Sequence, residues 1–347
     1  MLRMKKRIKY SAVLALALMG GSAIAGNPQR AGQAGASELM INPWARSAGW
    51  GGVNVAGVKG LDATYVNIAG IANTESTEIA FSNSQWLVGS EISINSFGFN
   101  QKVGANGVMG ANVTIMDYGD IERTTEANPD GGIGYFSPST AIFGVSYAQR
   151  FTESILGGVN IKIFSQSAQD LNASAVCFDA GVQYVTGDEK ELKFGVTLKN
   201  VGPSATYKGD GQTVNLAVPT GGYSQNYEEK SASFELPALL GLGASYDFNF
   251  TDQRLTLAAA FQSNSFEKDL VNVGAEYSIK EMVIVHAGYT QLIGGDDSGL
   301  ETTAYTGLAA GLGLNVALGE SKLLIDYSYR ATKTFSGTHS IGIGFSL

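Results

Sequence analysis

The last nine residues, 339–347, alternate strictly. His339, Ile341, Ile343, Phe345 and Leu347 share one face, while Ser340, Gly342, Gly344 and Ser346 share the other. A period of two is the period of a β-strand. A bulky apolar face backed by small residues suits a strand with lipid on one side and a barrel lumen on the other. An apolar strand at the end of the sequence is expected to close such a barrel by pairing with the first strand.

The rest of the sequence leaves one way to cross lipid. Beyond the N-terminal leader, no stretch reaches the roughly 18 consecutive apolar residues that a transmembrane helix needs. A chain in lipid must then satisfy its backbone groups by closing a sheet on itself. The expected fold is all-β: a transmembrane antiparallel β-barrel of about 14 strands with an N-terminal plug inside the lumen. The 45 glycines suit a lumen face and tight turns, and the 16 Phe and 15 Tyr suit interfacial girdles.

Arg3, Lys5, Lys6, Arg7 and Lys9 form a basic start, residues 11–19 an apolar stretch, and Ala23-Ile24-Ala25 an A-x-A site before Gly26. This reads as a signal peptide over residues 1–25. About a dozen apolar residues are too few to span comfortably. No cysteine lies directly after the apolar stretch, so a lipoprotein is not expected. Without the leader, 18 basic side chains face 31 acidic ones, a charge of about −13. Such an acidic chain argues against nucleic acid as a partner. Cys177 is the single cysteine, so there is no disulfide framework.

From about residue 77 the sequence falls into alternating segments, beginning near 77, 90, 105, 139, 154, 173, 192, 233, 254, 271, 282, 308, 323 and 337. In one, Phe194, Val196 and Leu198 face out while Lys193, Gly195, Thr197 and Lys199 face in. In another, Val271, Val273, Ala275 and Tyr277 face out while Asn272, Gly274 and Glu276 face in. The second segment loses phase near Ser96, which predicts a β-bulge. Outer-membrane barrels alternate short periplasmic turns with longer outer loops. The short connections fall near 104–106, 151–153, 187–190, 249–253, 280–281 and 319–321. The long ones, 118–138, 201–232 and 292–302, occupy the opposite phase. An even strand number returns the C-terminus to the periplasm.

Residues 26–76 do not follow the barrel pattern. They are glycine-rich, yet Trp44, Trp50, Leu61, Tyr65 and Ile68 require burial. Irregular chain at membrane depth is tolerated only when enclosed by protein, so this segment is expected to plug the lumen. The barrel is then expected over 77–347.

This segment also carries a resemblance. Gly35-Ala-Ser-Glu-Leu-Met-Ile-Asn-Pro-Trp-Ala-Arg46-Ser-Ala-Gly-Trp-Gly51-Gly52-Val-Asn-Val-Ala56 resembles the opening of the PorV/PorQ family of Bacteroidetes outer-membrane proteins. So does Asp62-Ala-Thr-Tyr-Val-Asn67-Ile-Ala-Gly70-Ile-Ala72, where Ile68 stands in place of the family's usual proline. That family belongs to the wider FadL-like superfamily of plugged barrels. The resemblance implies a plug motif of Arg46, Gly51, Gly52, Asn67 and Gly70. It also implies a role in type IX secretion, either passing the C-terminal signals of cargo onward or holding a surface attachment complex.

No catalytic set is visible, and an enzyme is not expected. By phase His286 faces the lumen, His339 lies at the outer end of the last strand, and neither has a nucleophile or carboxylate at a catalytic spacing. Cys177 reads as a small lumen filler. Carboxylates in 117–120 and 294–299 lack calcium-loop spacing, and no P-loop, HExxH or GxSxG pattern occurs. No cofactor or metal is expected. Lys162, Asp179, Lys193, Asp247, Glu276, Asp326 and Arg330 point inward as contacts between wall and plug. Arg46 is the plug residue expected to pair with one of these carboxylates.

Two functions fit. One is binding of protein partners of a secretion or attachment complex, with outer-membrane lipid as solvent. Its expected docking surface is the outer loops, chiefly the 201–232 loop with Tyr207, Tyr223 and Tyr227. The alternative is FadL-like uptake of a hydrophobic, lipid-like ligand, lined by 214–219 and 236–240.

Overall fold

The computed structural model describes residues 30, 32–219, 221–293 and 303–347. The signal peptide expected over 1–25 and the acidic loop 294–299 lie outside the described residues.

The wall starts with β1 (Thr77–Trp86), β2 (Ile92–Val103) and β3 (Gly107–Asp117). A short pair, β4 (Ile121–Glu122) and β5 (Tyr135–Phe136), stands in the first long loop. The wall resumes with β6 (Ser139–Arg150), β7 (Ile155–Ala168), β8 (Leu171–Thr186) and β9 (Leu192–Val201). The second long loop carries a hairpin, β10 (Thr213–Ala217) with β11 (Ser224–Glu228). The wall is completed by β12 (Leu239–Asn249), β13 (Gln253–Asn264), β14 (Leu270–Ile279), β15 (Val283–Leu292), β16 (Tyr305–Leu318), β17 (Ser321–Thr332) and β18 (Thr338–Ser346).

Fourteen of these strands close into one antiparallel barrel, each paired with its neighbours in the chain and β18 with β1. The closing pair sets Glu78 opposite Ser346, Phe81 opposite Ile343 and Gln85 opposite His339. The C-terminal strand therefore does what its alternation predicts. Ile341, Ile343 and Phe345 face outward and Ser340 inward. The same parity runs round the ring, with Phe194, Val196, Val273 and Ile325 exposed to lipid and Thr197, Asn272 and Ser328 buried inside.

The ladder is regular at Ser96, where no bulge occurs. Ser96 pairs with Ser82 on one side and Thr114 on the other, and its hydroxyl lies 2.8 Å from that of Thr114. The apparent loss of phase arises because Ile94 turns inward. Asn95 turns outward, where Asn83 on β1 donates to its side-chain oxygen at 2.8 Å. Register shifts fall instead between Phe178 and Ala180 of β8 and between Tyr305 and Ala309 of β16. The strand expected from about 233 starts only at Leu239. Pro237 has no N–H to give a ladder, and Glu235 and Phe234 bridge to Ala34 and Ala205 instead.

Connections at one end are short: 104–106, 151–154, 187–191, 250–252, 280–282 and 319–320. The long ones, 118–138, 202–238 and 293–304, lie at the other end. This asymmetry makes the short-turn end periplasmic. Before β1, residues 36–74 run inside the ring. Leu39, Trp44, Trp50, Leu61, Ile68 and Ile71 are buried there. The segment begins among the outer loops, where the Gly35 amide donates to the Glu235 carbonyl at 3.1 Å, and leaves at the periplasmic end into β1.

The alternation predicts opposite tolerances at adjacent positions. Val273→Arg puts a charge into lipid and is expected to cost about 2–4 kcal/mol near the midplane, whereas Asn272→Arg opens into the lumen and costs less. Urea unfolding followed by heat-modified gel mobility measures both. Equal losses would mean that the assigned faces are wrong.

Candidate functional site: the filled lumen and its outer mouth

The segment inside the lumen has little regular structure and is fixed by side chains. It forms short helical turns at Ser37–Met40, Ala45–Gly49, Gly60–Asp62, Ala63–Val66 and Ile68–Asn73. Asn42 accepts from the Trp44 amide at 3.1 Å, and the Trp44 indole donates to Thr64 at 2.9 Å. Asn67 is fully buried. Its amide donates to the Val55 carbonyl at 2.9 Å and to the carbonyls of Val182 on β8 and Val196 on β9 at 3.2 and 3.4 Å. Its oxygen accepts from the Ala69 amide at 3.2 Å and caps the turn that follows. One side chain thus ties the segment to two strands of the wall.

The wall accepts this segment through glycines on its lumen face. A Cβ on Gly195 would lie 2.3 Å from the Val55 carbonyl oxygen, and one on Gly288 would lie 2.2 Å from that of Trp50. Main chain therefore rests directly on main chain, which only glycine permits.

Much of the lumen charge is paired locally. Arg46 and Arg254 each donate to Glu276 at 3.1 Å, one to each carboxylate oxygen. Arg254 also reaches Glu281 at 2.8 Å, and this hydrogen bond holds the Glu281 carboxyl below its usual range. Lys193 pairs with Asp247 at 2.5 Å and Lys162 with Asp179 at 2.8 Å. Burial pushes the Asp62 carboxyl above the ordinary carboxylate range, opposed by its hydrogen bonds from Ser47. The Tyr65 phenol is likewise raised by burial and donates to the Met40 carbonyl.

Above the segment, towards the long loops, lies a cavity of about 230 Å³. Tyr65, Lys199, Glu267, Tyr305 and Arg330 are among its lining residues. The hairpin of β10 and β11 stands over this end, fully exposed along both strands. Val214 opposes Tyr227, and Leu216 shares their face. Tyr223 lies in the connection between the two strands.

The residues singled out in the sequence take these places. Arg46 meets Glu276, Asn67 anchors the segment, and Gly51 and Gly52 adopt positive φ of 66° and 72° beside the cavity. Gly70 leaves no room for a side chain, since a Cβ there would sit 2.3 Å from the Val58 carbonyl oxygen. Tyr223 and Tyr227 are exposed. Tyr207 differs: it hydrogen-bonds Gln166 and packs on Phe234 with ring centroids 5.5 Å apart, so it belongs to the loop's base rather than to its open surface. The two apolar runs, 214–219 and 236–240, do not form one pocket. Leu236 is buried beside Leu39 and Phe164, Leu240 faces lipid, and Val214 lies on the hairpin. His286 is buried against Trp50, with ring centroids 6.2 Å apart, and His339 lies outside, its Nδ1 2.8 Å from the Tyr327 hydroxyl. Sequence reasoning missed Arg254, whose inward phase on β13 was the available signal, and it missed that Lys199, Arg330 and two tyrosines meet at one cavity.

A closed fourteen-stranded barrel with this end asymmetry defines an outer-membrane protein of FadL-like fold. The family model for the type IX secretion system membrane protein PorP/SprF matches residues 68–345, and the chain belongs to that family. This corrects the resemblance to PorV/PorQ. Of the motifs behind that resemblance, 35–56 lies before the matched region and 62–72 straddles its start. No curated protein sequence matches the chain. Among solved structures, the CymD monoaromatic hydrocarbon channel is similar with a TM-score of 0.55 at 13% identity, covering 88% of this chain and 97% of the other. The Ralstonia pickettii toluene transporter TbuX gives 0.55 at 14% over 88% and 97%. A Pseudomonas aeruginosa FadL homologue gives 0.52 at 12% over 87% and 97%. Likeness at such identity establishes the fold alone.

The two-arginine clasp on Glu276 makes a specific prediction. Glu276→Gln keeps the shape but removes the charge between Arg46 and Arg254, and is expected to cost about 3 kcal/mol. Thermal unfolding in detergent should show a lowered midpoint, and Arg46→Met, which leaves Glu276 paired with Arg254, a smaller drop. The reverse order would show that Glu276 does not depend on both partners.

Proposed function

We propose that this barrel is a docking component of type IX secretion, held in the outer membrane, whose outer loops bind a protein partner while residues 26–76 act as its plug. The observation that carries the reading is the β10–β11 hairpin. It projects Val214, Leu216 and Tyr227 from one face, together with Tyr223, into solvent. Exposed apolar patches on a projecting element mark interaction sites, and tyrosines provide large contacts at small entropic cost. The hairpin's outer edges also hold unpaired backbone groups suited to strand addition by a partner.

Uptake of a hydrophobic molecule is the second reading, supported by the fold shared with hydrocarbon channels. The cavity above the lumen segment weighs against it, because Lys199, Arg330 and Glu267 line it and charged groups are a costly lining for an apolar passenger.

Replacing residues 213–228 by a short Gly-Ser turn should leave the barrel inserted and heat-modifiable. Recovery of secretion proteins in pull-downs from native outer membranes should be lost. Unchanged recovery, or loss of hydrocarbon uptake with recovery intact, would overturn the docking role. For the plug, deletion of 26–76 should give a barrel that conducts small ions across a planar bilayer. A deletion variant as tight as the full chain would disprove that assignment.

A further inference from the structure

Lys162, Lys193, Arg46 and Arg254 each have a carboxylate partner. Lys199 and Arg330 have none among the described residues. Lys199 is 4% exposed, and its ammonium sits 3.5 Å above the centre of the Tyr65 ring. The guanidinium of Arg330 sits 3.9 Å above the Tyr305 ring. Both side chains line the same cavity of about 230 Å³.

An aromatic face orients a cation but takes none of its N–H donors. A buried ammonium with unused donors is unfavourable unless something else accepts from it. The neighbouring Asp179 does not serve, because it is engaged by Lys162 at 2.8 Å, the Asn200 amide at 2.8 Å and Asn160 at 3.2 Å. The Asn200 backbone that makes one of these bonds has φ of +59°, at the register shift that ends the β8–β9 ladder. The bulge therefore fixes Lys199 and Asn200 as consecutive inward groups, one spare and one tied. Glu267, the one carboxylate in the lining, belongs to an exposed residue of the loop between β13 and β14.

We infer that this cavity is a binding site for a compact free anion, a carboxylate or a phosphate, received by Lys199 and Arg330 on their tyrosine platforms. The cavity lies above the lumen segment, apart from the exposed face of the hairpin, so the site stands independently of the docking role proposed above. Charge-assisted hydrogen bonds in a partly desolvated setting give such a receptor its strength, and two cations lining one cavity supply donors for the oxygens of either group.

Titration calorimetry on the full chain in detergent, in a buffer free of carboxylate and phosphate, tests this with sodium butyrate and inorganic phosphate as separate probes. Saturable binding of at least one probe is expected. It should weaken by about tenfold or more in both Lys199→Met and Arg330→Gln, the loss of one charged hydrogen bond. Heat-modified mobility checks that each variant is folded. Arg330 is half-buried, so R330Q carries the test alone should K199M fail to fold. Absence of saturable binding with both probes, or binding that survives either substitution in a folded barrel, overturns the inference. Which probe binds separates a carboxylate source from a phosphate one.

Discussion

Every N–H and C=O in the lipid-embedded wall must find its partner inside the wall, and the rest of the structure follows from that. An unpaired backbone group in hydrocarbon costs several kcal/mol, so the sheet has to close. Closure is made by β18 on β1, with eight residues of each strand in register. Once the sheet is closed, each strand has one face in lipid and one in the lumen. Lipid then demands apolar residues on one face, and the limited lumen volume demands small ones on the other. The alternation at 339–347 records both demands at once.

The lumen face has a further consequence. Its glycines let the backbone of the N-terminal segment lie against the wall, as Val55 does on Gly195 and Trp50 on Gly288. A segment held this closely needs few regular hydrogen bonds of its own. Asparagines, short helical turns and ion pairs to the wall replace them. The irregular composition of 36–74 therefore reflects an environment in which the barrel supplies the partners that secondary structure would otherwise provide.

Most of the wall was legible because period two is unambiguous when one solvent is lipid. Strand starts, inward charges and the alternation of short and long connections could be read directly. What failed had local causes. Ile94 is apolar yet points inward, which imitated a bulge at Ser96. The real irregularity at Asn200 was hidden because Lys199 and Asn200 are both polar, and a sequence cannot show that two adjacent polar residues both turn inward. The 201–232 loop reads as one open surface because composition does not distinguish Tyr207, packed on Phe234, from Tyr223 in solvent. The family was misread because its signal lies in the barrel, while the most distinctive words lie in the segment inside it.

The segment is not held equally all round the ring. Its last turn, Ile68–Asn73, rests on β6, β7 and β8, where Ile68, Ala69 and Ile71 join Leu156, Ala148 and Val108 in a tight apolar cluster. Its helix Ala45–Gly49 rests on β15 to β18 and on β1. There both ring nitrogens of His286, an oxygen of Asp326, the hydroxyl of Ser328 and the oxygen of Asn272 on β14 have no protein partner among the described residues. Opening the first interface exposes apolar area, at about 25 cal/mol per Å². The two sides thus differ in how the segment is held: apolar packing beside β6 to β8, and an Arg46–Glu276 ion pair beside buried polar groups of β14 to β17. The cavity with Lys199 and Arg330 borders the Arg46 side through Gly51, Gly52 and Asn272, so occupancy of the cavity and the seating of the segment bear on the same contacts.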